Sequence, residues 1–99
     1  MSKKYAVFAS SRTDLLYATL GHLKDLLDYG VLTGKINYGD AFNFRINEDL
    51  FDAKIESELI NMGLPKYYFV IKAEVKDEEK LKKDGFCKNK KIKYSIYEL

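Results

Sequence analysis

Two side chains of the kind found in active sites, His22 and Cys87, occur once each in the chain. A general base needs an orienting partner, and spacing offers His22 only Asp25, one helical turn further on. A nucleophilic cysteine needs a lowered pKa; lysines follow Cys87, but no histidine or asparagine partner can be argued for it. One histidine and one cysteine are also too few for a zinc site. The sequence therefore predicts a protein that is not an enzyme, without catalytic residues, metal or cofactor.

A short polar segment offers a candidate anion site. Ser10, Ser11, Arg12 and Thr13 lie between a predicted strand and a long predicted helix, with Thr13 as the expected N-cap. Free N–H groups at a helix start suit a phosphate or carboxylate, and the hydroxyls and the guanidinium add donors. No glycine-rich loop accompanies them, so helix capping and solvation explain the same residues.

A lysine-rich segment offers a candidate nucleic-acid surface. Between Lys80 and Lys93 seven lysines face one acid, Asp84. Lysines neutralise phosphates and aromatic rings stack on bases, so this hypothesis rests on Lys82, Lys83, Lys88, Lys90, Lys91, Lys93 and Tyr94. A solvated lysine-rich surface is the alternative interpretation.

The elements that would position these residues follow from periodicity and capping signals. Apolar residues at helical spacing predict a helix over 15–29 ended by Gly30, and a second over 47–63 with an acidic face. Alternation predicts the strands, and Gly39-Asp40 reads as a hairpin turn, with one long bulged strand as the competing interpretation. In chain order the predicted elements are strand 4–9, helix 15–29, strands 31–38 and 41–46, helix 47–63, strand 66–75, short helix 77–83 and strand 91–99.

This order predicts a single α+β domain over residues 1–99. The first six elements spell βαββαβ, the ferredoxin-like sandwich, with an extra C-terminal short helix and strand. In that arrangement the strands 4–9 and 41–46 hold the sheet centre. Both long helices cover one face of the sheet, and the other face is open or closed by a second subunit.

The tyrosines favour an interaction surface. Tyrosine is a frequent contact residue at protein interfaces, and the strand tyrosines cannot all be core. The expected interface residues are Tyr5, Tyr67, Tyr68, Tyr94 and Tyr97. We therefore expect a small regulatory or inhibitory protein that binds a protein partner or forms a homodimer. Nucleic-acid binding by the lysine-rich segment and phosphorylated-ligand binding at Ser10–Thr13 are the alternatives.

Composition indicates the setting of this protein. One cysteine cannot form an internal disulfide, and the apolar run behind Lys3-Lys4 is too short for a signal peptide or a membrane span, so we expect a cytoplasmic, non-membrane protein. The abundance of Lys, Asn, Ile and Tyr is typical of AT-rich genomes. A phage or mobile-element origin, with the host cytoplasm as compartment, fits this composition.

Overall fold

The computed structural model describes residues 3–40, 68–86 and 92–98, apart from the side chains of Asp40 and Tyr97. These residues form an α+β structure. The predicted strand 41–46 and helix 47–63 lie outside the described residues. In chain order the elements are strand β1 (Lys4–Ser10), a 3-10 turn (Thr13–Leu15), helix α1 (Leu16–Asp28), strand β2 (Leu32–Asp40), strand β3 (Phe69–Val75), helix α2 (Glu78–Lys83) and strand β4 (Lys93–Glu98).

The described strands form one antiparallel sheet in the order β2-β3-β1-β4. β1 is central, as predicted, and it is apolar and buried on both faces, since Ala6 to Ala9 are all buried. β3 and β4 pair with the two edges of β1, and strand 41–46, which was expected to share the sheet centre, lies outside the described residues. β3 takes the central place because it too is buried on both faces from Phe69 to Ala73.

The sheet face turned away from α1 is closed at its centre. Ala6 and Phe8 share a core cluster with Leu23 and Leu26 of α1, so the alternate residues of β1 point to the opposite face. There Val7, Ala9 and Val70 have 0% of their surface exposed. The expectation of an open second face is therefore wrong at this point.

Helix α1 begins and ends close to its predicted limits. Thr13 does not cap it: the chain enters through the 3-10 turn, and Thr19 Oγ1 donates a hydrogen bond to Leu15 O at 2.6 Å. Gly30, at φ +77°, ends the helix as predicted, with Gly30 N donating to Leu27 O and Val31 N donating to Leu26 O. This ending turns the chain directly into β2.

β2 is longer than predicted and contains a bulge. Gly39 and Asp40 remain paired with Val70 and Phe69 of β3, so the predicted turn at Gly39-Asp40 is wrong. The ladder instead shifts between Thr33 and Asn37, where Gly34 has φ +74°. A glycine supplies this positive φ without the strain a side chain would add, so the competing interpretation of a bulged strand fits as far as Asp40.

The short helix α2 forms close to its predicted limits. The Asp77 side chain accepts a hydrogen bond from Lys80 N at 3.1 Å, and Lys82 Nζ lies 3.6 Å from Glu78 Oε1. Leu81 is buried in the same cluster as Phe8. α2 therefore packs on the same side of the sheet as α1.

Candidate docking groove between α1 and β2

An aromatic groove runs between the outer side of α1 and β2. Its volume is about 300 Å³, and two tyrosines form its walls: Tyr17 from α1 is 83% exposed, and Tyr38 from β2 is 56% exposed. Half-buried Leu20 and Ile36 lie between them. α1 buries its inner side on the sheet, and this leaves Tyr17 on the rim and not in the core. Although Tyr17 is one of the large hydrophobic residues of α1, it is therefore not part of the buried stripe of that helix.

Gly21 keeps the groove open. A Cβ atom placed on Gly21 would meet nothing within 4 Å, so the absence of a side chain leaves free space above the helix. Lys24, one turn further on, is the single charged residue among the described residues of the lining. It makes no ion pair with any residue of the described ranges. The groove thus offers an apolar floor beside an uncompensated positive charge.

The tyrosines that the sequence predicted as interface residues are divided between the core and the surface. Tyr68 is exposed, whereas Tyr94 is half-buried and stacks on Phe8 with ring centroids 5.6 Å apart. Tyr5 is half-buried beneath Lys72 Nζ, 4.6 Å from its ring centroid. Tyr67 and the side chain of Tyr97 lie outside the described residues. Helix periodicity alone could not separate the exposed Tyr17 from core residues, since it lies at the edge of the apolar stripe.

The candidate anion segment is internally paired. Ser10 is buried and its Oγ accepts a hydrogen bond from Arg12 N at 3.1 Å. Arg12 Nε donates to Asp14 Oδ1 at 3.0 Å, and this hydrogen bond holds the pKa of the Asp14 carboxyl below its ordinary value. Ser11 and Thr13 are exposed. An external anion at Arg12 would therefore compete with the carboxylate two residues away.

The candidate nucleic-acid segment is described only in part. Lys82, Lys83 and Lys93 are exposed, and α2 places the first two next to each other. Lys80 and Lys82 pair with Asp77 and Glu78, which reduces the positive field of α2. Lys88, Lys90 and Lys91 lie outside the described residues, as does Cys87.

His22 of α1 contacts residues that follow α2, and not a residue one turn further along α1. Its Nε2 lies 2.7 Å from Asp84 Oδ2, and its ring stacks on Phe86 at 4.2 Å between centroids. Asp25, the partner that helical spacing suggested, is not this partner. Sequence spacing could not find Asp84, because the contact forms only when α2 packs against α1. No third polar group is seen at this pair in the described chain, and a hydrogen-bonded clamp is the role its geometry supports.

A charged cleft of about 380 Å³ lies where β1 begins and β3 and β4 end. Lys4 Nζ donates to Glu78 Oε2 at 2.7 Å, which raises the pKa of Lys4 and lowers the pKa of Glu78. The described lining mixes both charge signs: Lys3, Lys4, Glu74, Val75, Lys76, Glu78 and Glu98. Such a surface has no preference for one sign of ligand.

The residues that the structure describes lack two features. Within them no three histidine, cysteine, aspartate or glutamate side chains gather as metal ligands would. Among the same residues, neither helix has the length and apolar character needed to cross a membrane.

Comparison with known proteins supplies no relative. No family model matches the chain, and searches of curated proteins and of solved structures find no match. The geometry of the surfaces described above is therefore what indicates a function.

Proposed function

We propose that this protein is a non-enzymatic interaction module that docks a segment of a partner protein in the groove between α1 and β2. The observation that carries the proposal is the pair of exposed tyrosine walls, Tyr17 and Tyr38, on either side of an apolar floor. Exposed tyrosines around a concave apolar patch are typical of interface hot spots, because the ring buries large area with few rotatable bonds.

The occupant we propose is a partner segment that presents an apolar side chain beside a carboxylate. The apolar side chain would enter the space above Gly21, between Leu20 and Ile36. The carboxylate would pair with Lys24, the uncompensated charge at the rim. Charge complementarity of this kind sets the orientation and the specificity of a docked segment.

A peptide selection tests the proposal. Random peptides displayed on phage are selected on immobilised wild-type protein and, separately, on Lys24→Glu. We expect wild type to enrich peptides that pair an apolar residue with an acid, and the charge reversal to shift that enrichment towards basic residues. Lys83→Glu makes the same charge change on α2, away from the groove, and should leave the selected motif unchanged.

Matched tyrosine variants then place the bound peptide. Tyr17→Ala should weaken binding of a selected peptide at least tenfold, whereas Tyr29→Ala should not, although Tyr29, the residue that follows the same helix, is 77% exposed. Equal loss in both variants, or none in either, contradicts the groove. If wild type alone dimerises in sedimentation and Tyr17→Ala does not, the occupant is a second copy of this chain and not a partner segment.

We extend the proposal to fold and setting. The elements β1-α1-β2 and β3-α2-β4 suggest a ferredoxin-like arrangement in which α2 and β4 complete the second half and are not extra to it. A regulatory or inhibitory protein of a phage or mobile element, acting in the cytoplasm, fits the docking groove and the composition. Nucleic-acid binding through α2 is the alternative; it predicts oligonucleotide binding that weakens steeply with salt in fluorescence anisotropy.

A further inference from the structure

We propose that the sheet face turned away from α1 holds a binding site for a small oxyanion, a phosphate or carboxylate group, formed by Lys72 with Lys35 and Asn37 beside Tyr5. The site is separate from the docking groove and does not depend on it.

Strand register brings these residues together. Lys72 of β3 lies opposite Val7 of β1 and Asn37 of β2. Because Val7 points away from α1, Lys72 and Asn37 do so as well. A cavity of about 170 Å³ opens among them, lined in the described chain by Tyr5, Lys35, Asn37, Lys72, Ala73 and Glu74.

Lys72 is the buried cation of the described residues, and no ion pair compensates its charge there. It is 9% exposed, and its one recorded partner is the Tyr5 ring, 4.6 Å from Nζ to centroid. It makes no ion pair or side-chain hydrogen bond with any residue of the described ranges. A buried charge is costly unless it is paired.

Two exposed cations show the opposite pattern. Lys4 pairs with Glu78 and Arg12 with Asp14, although water already screens both cations. A lysine that is nine-tenths buried, borders a cavity and has only an aromatic neighbour is better suited to an anion that enters the cavity than to a structural role. Ammonium and amide groups are the donors that a phosphate or carboxylate oxygen takes.

Glu74 limits the charge of the ligand. Its Oε2 lies 3.4 Å from the position of a Cβ on Gly34, so its carboxylate sits over the β2 bulge. Two lysines and one glutamate in the described lining leave one positive charge in excess. A singly charged group such as a carboxylate or a phosphate monoanion matches that excess.

Thermal unfolding of the full chain tests the site with inorganic phosphate and, separately, acetate as probes, each against sodium chloride at equal ionic strength. We expect at least one probe to raise the unfolding midpoint in a saturable manner, because a ligand bound only to the folded state stabilises it. The preferred probe identifies the group. Chloride should give no saturable rise.

The matched variants are Lys72→Met, which keeps the length of the side chain without its charge, and Lys83→Met on α2. Lys72→Met should abolish the rise, and Lys83→Met should keep it. Without ligand, Lys72→Met should unfold at or above the wild-type midpoint, since an unpaired buried charge is gone. An equal rise in Lys72→Met and wild type, no saturable rise with either probe, or an equal effect of chloride overturns the proposal. Should Lys72→Met fail to fold, loss of the rise in Asn37→Ala supports the site and its persistence contradicts it.

Discussion

Replacing Gly21 by alanine should stabilise the protein. Gly21 lies inside the 13-residue helix α1, where glycine is about 0.8–1.0 kcal/mol less favourable than alanine. The added Cβ would meet nothing within 4 Å, so it brings neither a clash nor new packing, and the helix propensity alone sets the effect. For a domain of this size, about 1 kcal/mol raises the melting midpoint by roughly 4–8 °C.

Urea and thermal unfolding monitored by circular dichroism measure this gain, with an unchanged m-value as evidence that compactness is the same. Gly30→Ala is the matched control, because a Cβ there also meets nothing within 4 Å but φ is +77°. That left-handed backbone should cost alanine about 1 kcal/mol, so the two changes should have opposite signs. A loss of stability in Gly21→Ala would refute the reasoning that free space lies above the helix.

The same position separates stability from docking. Gly21→Leu places a good helix former in the groove and should keep the fold while blocking the proposed partner segment. A selected peptide that binds Gly21→Leu as well as wild type would show that the groove is not the docking site. Gly21 lowers the stability of α1, and docking of a partner segment in the space above it would explain why a glycine occupies this position.

Three further predictions concern the packing of α2. Leu81→Ala should cost about 2–5 kcal/mol in urea unfolding, since this buried side chain anchors the helix; a cost below 1 kcal/mol would contradict that anchor. His22 and Asp84 should show a coupling energy of about 1 kcal/mol in a double-mutant cycle of His22→Phe and Asp84→Ala, and additive effects would show that the clamp contributes nothing. Lys4→Met should destabilise the protein at neutral pH but not in acid. The ion pair lowers the pKa of Glu78 in the folded state, so its contribution to the free energy of unfolding is present above the unfolded pKa and is lost as pH falls through the folded pKa. A difference between the two proteins that does not change with pH in denaturation profiles would exclude this cause.

Local signals predicted the elements that depend on neighbouring residues. The apolar spacing of α1, the left-handed end at Gly30 and the short helix α2 all depend on local residues, and the structure has each of them. β1 was also predicted as central, because apolar residues on both faces allow few other places.

Features that depend on distant pairing were missed. Gly39-Asp40 has the composition of a turn, but pairing with β3 keeps both residues in the strand. The exposure of Tyr17 and the contact between His22 and Asp84 depend on how α1 and α2 meet the sheet, which periodicity does not report. The candidate docking groove was therefore not found from sequence.

The position of β1 has a consequence for how the protein folds. Its hydrogen-bonding partners are residues 69–75 on one edge and 93–98 on the other, both far along the chain. During synthesis on the ribosome the apolar segment 4–10 therefore emerges long before either partner, and its backbone hydrogen bonds cannot form until β3 and β4 are made. Closing such long loops slows folding, so we expect refolding on the millisecond-to-second scale and a need for protection of this segment until the later strands are made.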